Sequence, residues 1–211
     1  MKPTAILLLS LLGAAVNVGC GPKRVPTGVL DRLPFESRIE LLEAENDLAL
    51  AVDHLEEART EVGRQRAGLR RAKDRLSAAE NEESNAKDSA SKEVARLAVE
   101  EARARVEYLR ARQRVEERSE RIQEVSLRCA RDRFELARMS IARKVKVKGS
   151  ESLEPQVFEK QVKSCEEDVA NLRRDLKEPT DQAKAAKDGW DSHRSTLARK
   201  TFDARASPYV E

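Results

Sequence analysis

The chain has 211 residues, of which 37% are charged and only 3% aromatic, and its formal net charge is +3. This composition, poor in Gly and Pro, is typical of long helices and excludes a broad globular core. Because 41 basic and 38 acidic side chains are intermixed along the sequence, they form no coherent basic stripe for phosphate contacts. Nucleic acid is therefore not expected as a partner.

Residues 1–19 have the pattern of a secretory signal peptide. A weakly positive start, Met1 and Lys2, is followed by an apolar run from Ala5 to Val18 that only two polar residues interrupt. With about 14 residues the run falls short of the roughly 20 that a membrane-spanning helix needs. The sequence thus predicts an exported protein.

The end of this run, residues 16–20 (Val-Asn-Val-Gly-Cys), resembles the lipobox of bacterial lipoproteins. Gly19 and Cys20 match its last two positions, whereas Asn17 stands where that family usually has an aliphatic residue. The resemblance implies cleavage before Cys20 and acylation of the new terminus, which would anchor the chain to a membrane. Gly21, in place of a retention aspartate, favours the outer membrane, facing the periplasm. The alternatives are an ordinary signal peptide cleaved near Gly19 and an uncleaved anchor.

Residues 20–34, which contain several Pro and Gly residues, are interpreted as the lipidated cysteine and a tether. A helical body over 35–178 follows, and it begins with a regular heptad repeat that predicts a coiled-coil helix over about 35–83. The apolar seam of this repeat consists of Leu41, Leu48, Leu55, Val62, Leu69 and Leu76.

The seam fails over residues 80–93, where Asn, Ser and Asp residues favour turns and caps. It resumes in a second helix over about 92–144, interrupted by Glu101, Arg118 and Asp132. Matched helix lengths favour an antiparallel hairpin. One unbroken helix that absorbs a stutter and pairs with another chain remains the alternative.

A third heptad segment over about 156–177 predicts a helix that packs back on the second. Pro179 then indicates a kink or stop, and residues 179–211 are expected to hold a short helix and a loose tail. The predicted fold is therefore all-α: a long antiparallel coiled-coil hairpin, a third packed-back helix and a short C-terminal helix.

Cys129 and Cys165 occupy seam positions on helices expected to be adjacent and at similar heights. In an oxidising envelope they could form a disulfide, and otherwise each is a small buried apolar residue.

A second candidate site is the one local concentration of positive charge. Arg143, Lys144, Lys146 and Lys148 could contact an anionic surface of lipid headgroups or cell-wall groups, or they could simply complement a helix end.

No residue pattern typical of catalysis is found, so no catalytic residues, metal or cofactor are expected. His54 and His193 are interpreted as surface residues. The leading hypothesis is a membrane-anchored scaffolding lipoprotein of the bacterial cell envelope that binds protein partners or its own copies through helical surfaces. The alternative is a periplasmic chaperone or a secretion or efflux adaptor that grips other proteins with its hairpin.

Overall fold

The computed structural model describes residues 22–202, which contain helices and no strand. Two short helices, α1 (Thr27–Leu30) and α2 (Phe35–Ile39), precede the long helices α3 (Leu42–Asn85) and α4 (Ser89–Lys144). After a 3₁₀ turn at Ser150–Ser152 come α5 (Pro155–Asp175) and α6 (Lys177–Thr201). The predicted all-α class is confirmed.

Helices α3 and α4 pack against each other as an antiparallel hairpin, which excludes the single unbroken helix. The seam residues Leu55, Val62 and Leu69 of α3 are buried against α4. The hairpin turn is three residues long. Asp88 begins α4 as its N-cap, because its carboxylate accepts a hydrogen bond of 2.8 Å from the Ser91 amide.

The return helices α5 and α6 run antiparallel to α4 along nearly its whole length. Cys165 of α5 lies beside Cys129 near one end of α4, and Lys200 of α6 forms an ion pair of 3.0 Å with Glu93 near the other. Residues 22–202 thus form a helical bundle in which α4 is the central helix, and both α3 and α5–α6 pack along it. With its 56 residues, α4 is about 84 Å long.

The C-terminal helix is longer than the short helix that the sequence predicts, since α6 has 25 residues and contains Pro179 in its first turn. Proline is tolerated there because the amide groups of the first helical turn have no partner within the helix. Only Leu176 separates α5 from α6, and Arg118 of α4 donates a hydrogen bond of 3.5 Å to the carbonyl of Asp175 at this break. Arg118 thus interrupts the apolar seam at the position where it contacts the break.

Candidate functional site

The end of the bundle where α4 finishes holds the predicted basic tract, and its backbone forms a Schellman motif. The Val147 amide donates to the Ala142 carbonyl at 3.0 Å, and the Lys146 amide donates to the Arg143 carbonyl at 3.1 Å. This motif requires a left-handed residue after the helix, and Lys146 supplies it with a φ of 55°. Val147 is buried as a result, so the tract alternates between exposed and buried side chains.

Replacement of Lys146 by glycine is expected to raise the free energy of unfolding by about 0.5–1 kcal/mol. The left-handed conformation costs a residue with a Cβ roughly 1–2 kcal/mol, which exceeds the extra flexibility that glycine gives the unfolded chain. Chemical denaturation monitored by circular dichroism measures the difference. Lys148→Gly is the matched control, because Lys148 is also exposed but has no positive φ, and it should be neutral or destabilising.

All four cations of the tract are exposed, but two of them have partners within the chain. The Lys144 ammonium lies 2.9 Å from the Glu40 carboxylate, and Arg143 donates a hydrogen bond of 2.6 Å to the Leu153 carbonyl. Lys146 and Lys148 are exposed. An anionic surface would therefore meet chiefly these last two side chains.

The residues predicted to be a tether pack against this same end of the bundle where the structure describes them, from residue 22 onwards. Val25, Val29 and Leu33 are buried in a cluster with Met139 and Phe158. Their spacing of four residues places them on one face and is the sequence signal that would have indicated this packing. The N-terminal segment therefore belongs to the folded body.

Polar contacts hold the start of this segment between α4 and α5. The Lys23 amide donates to the Gln161 side chain at 2.8 Å, and the Val25 amide donates to the Glu135 carboxylate at 2.7 Å. The predicted lipidation site, Cys20, lies outside the described residues, as does the predicted signal peptide.

Cys129 and Cys165 form a disulfide in the structure, with their Cα atoms 5.5 Å apart. The cysteines are buried with Ile122, Val125 and Val169, so the bond joins α4 to α5 inside an apolar cluster. The placement agrees with the seam positions that the heptad pattern gives these residues.

The buried polar cluster around Trp190 was not predicted from the sequence, in which Glu101 only interrupts the apolar seam. Trp190 is 2% exposed, and its indole N–H donates a hydrogen bond of 2.6 Å to the Glu101 carboxylate, which is also buried. The indole stacks on Tyr108, with ring centroids 5.6 Å apart, and the Arg105 guanidinium lies 5.1 Å from its ring centroid. These contacts fix the position of α6 along α4.

The third interruption of the seam, Asp132, lies beside the N-terminal segment. Burial raises the pKa of its carboxyl group, Arg128 and Arg24 counteract this shift, and Glu135 adds to it. Because the folded state favours the protonated form, the contribution of Asp132 to stability decreases as the pH rises through this raised pKa.

Asp132→Asn is therefore expected to raise the melting temperature at neutral pH by about 2 °C, since no buried carboxylate has to ionise. The difference from the native chain should shrink as the pH falls through the raised pKa and Asp132 becomes protonated. Thermal unfolding at a series of pH values measures both effects. Asp74→Asn, at an exposed carboxylate, is the control and should show no such pH-dependent gain.

Neither histidine lies in a group that resembles a metal site. His54 lines a cleft between α3 and α5, and the Nδ1 atom of His193 is 3.9 Å from the Glu100 carboxylate. Over residues 22–202, no cluster of three or more His, Cys, Asp or Glu side chains could hold a metal ion.

No protein-family model, curated protein or solved structure matches this chain. Within the part of the chain that the structure describes, none of the helices has the length and apolar character needed to cross a bilayer.

Proposed function

We propose that this protein is a membrane-anchored coiled-coil lipoprotein that acts as a structural or scaffolding element of the bacterial cell envelope. The lipobox-like residues 16–20 support the anchor, with acylation at Cys20. The disulfide between Cys129 and Cys165 is consistent with an exported protein, because such bonds persist in oxidising compartments.

The observation that carries the scaffolding role is the burial of the coiled-coil seam inside the bundle. Leu41, Leu55, Val62 and Leu69 are each at most 8% exposed. A chaperone or adaptor that grips other proteins needs several such residues exposed in a groove. The closed seam therefore favours a stalk that presents its outer surface to partners.

The packing of the N-terminal segment limits how such a stalk would sit on the membrane. Cys20 is two residues from Pro22, a separation of at most about 7 Å even when fully extended. Pro22 lines a cleft in which four cations, Lys23, Arg24, Arg128 and Arg131, outnumber the carboxylates of Asp132 and Glu135. Acyl chains on Cys20 would hold this cationic side of the bundle close to the headgroups, where anionic lipids would attract it.

The anchor is tested by expressing the full-length chain in bacterial cells fed labelled palmitate. We expect the native chain to be labelled and to sediment with the membranes, whereas Cys20→Ala should lose the label and leave the membrane fraction. A Cys129→Ser/Cys165→Ser variant is the matched control and should retain its label. A native chain that is shortened by the leader but carries no label would instead indicate an ordinary signal peptide and would refute the proposal.

A further inference from the structure

The side of α2 and α3 that faces away from α4 carries an exposed apolar stripe, and Leu50 at its edge also lines the cleft between α3, α4 and α5. Ile39, Leu42 and Leu50 are 52%, 51% and 55% exposed, and Phe35 is 73% exposed. Their spacing of three, four or eight residues keeps them on one face of a nearly continuous helix. Exposed aliphatic residues that share a helix face are typical of a docking surface for another helix.

The charges along this helix divide it into two oppositely charged parts. Residues 35–57 contain eight acidic side chains and one Lys or Arg, whereas residues 59–75 contain seven Lys and Arg residues and two acidic ones. The side chains on the outward face also differ in size between the two parts. The acidic part has the large residues Ile39 and Leu50, whereas the part beyond it has Ala67 and Ala78. The acidic margins would repel an anionic membrane, so the stripe is unsuited to lying on one.

We propose that the backs of two α3 helices from two copies of this chain pair antiparallel, with a two-fold axis between Ala58 and Arg59. Such an axis places Leu50 opposite Ala67, and Ile39 opposite Ala78, so these two large side chains each face a small one. The acidic part of each copy then lies against the basic part of the other. A single surface is thus complementary to itself, as a two-fold interface requires.

The charged residues on the face fit the same register. Asp53 lies opposite Arg64, and Glu45 lies close to Arg70 on the same flank of the pair. Within residues 22–202 the side chains of Asp53 and Glu45 form no ion pair. Arg64 contacts Glu61 of its own helix, yet its side chain is 68% exposed and can turn to a partner. Each of these ion pairs occurs twice in the dimer.

The register is tested by disulfide trapping of the full-length Leu50→Cys/Ala67→Cys variant in intact cells. Seventeen residues separate the two positions, about 25 Å along one helix, so they cannot bond within a chain. We expect a dimer on non-reducing gels that either single variant forms far less. The Leu50→Cys/Ala78→Cys variant is the register control, because its cysteines lie about 16 Å apart in the proposed pair. Equal crosslinking of the two double variants, or none, would overturn the proposal.

A charge exchange tests the same contact without new cysteines. Asp53→Arg is expected to weaken dimerisation about tenfold in analytical ultracentrifugation, because two ion pairs become repulsive contacts. Asp53→Arg/Arg64→Asp should restore it, which a merely structural effect at either site would not do. A chain that stays monomeric throughout, or an unrescued loss, would contradict the pairing. The pairing would give the proposed scaffold a contact between its own copies. This inference depends on α3 and not on the lipid anchor. Palmitate labelling tests the anchor separately.

Discussion

Replacement of Trp190 by alanine is expected to lower the free energy of unfolding by about 3–5 kcal/mol, the usual cost of removing a large buried aromatic side chain. Three contacts would be lost together: the packing of a side chain that is 2% exposed, the stacking on Tyr108 and the hydrogen bond to Glu101. Because the indole joins α6 to α4, we expect α6 to detach first. Urea denaturation monitored by circular dichroism measures the loss.

Two further variants separate the causes of this loss. Trp190→Phe keeps an apolar ring but loses the hydrogen bond to Glu101, so its cost should be intermediate. Phe202→Ala removes an aromatic ring that is 98% exposed at the end of the same helix, and it should be nearly neutral. A loss below about 1 kcal/mol for Trp190→Ala would show that α6 does not pack as described.

Removal of the disulfide is expected to cost about 3–4 kcal/mol, because the bond closes a segment of 36 residues in the unfolded chain. The bond also joins α5 to α4, 15 residues before the end of α4 at Lys144. The Cys129→Ser/Cys165→Ser variant should therefore melt several degrees below the native chain. Thermal unfolding of the two proteins, each with and without a reductant, measures the difference.

The reductant supplies the internal control. It should lower the melting temperature of the native chain to about that of the double serine variant, which itself should not respond. If the native chain did not respond either, the two cysteines would not be bonded in solution. Cys20 does not affect this comparison, because both proteins contain it.

The hairpin could be predicted from the sequence because its signals are local. The leucines and valines of α3 repeat every seven residues, and weak helix formers such as Asn85 and Ser89 mark the turn. Periodicity reports which face of a helix is buried, so it indicated the seam and the seam positions of Cys129 and Cys165, whereas the disulfide between them was one of two alternatives. It also predicted the third helix, since α5 begins another heptad segment.

Contacts between distant residues could not be predicted in this way. Glu101 and Arg118 appeared only as defects in the seam, because their partners Trp190 and Asp175 lie 89 and 57 residues further along the chain. The N-terminal segment was interpreted as a tether because Pro and Gly residues obscure the short spacing of its valines. Their spacing indicates a buried face, but the shape of the bundle end that covers this face depends on contacts between distant residues.

The most direct test of the anchored stalk is the intact mass of the protein purified from the membranes of bacterial cells that express the full-length chain. We expect a polypeptide that begins at Cys20 and is heavier than its sequence by the mass of the attached acyl groups. A chain that retains Met1, or one that begins near Cys20 without added mass, would contradict the lipid anchor.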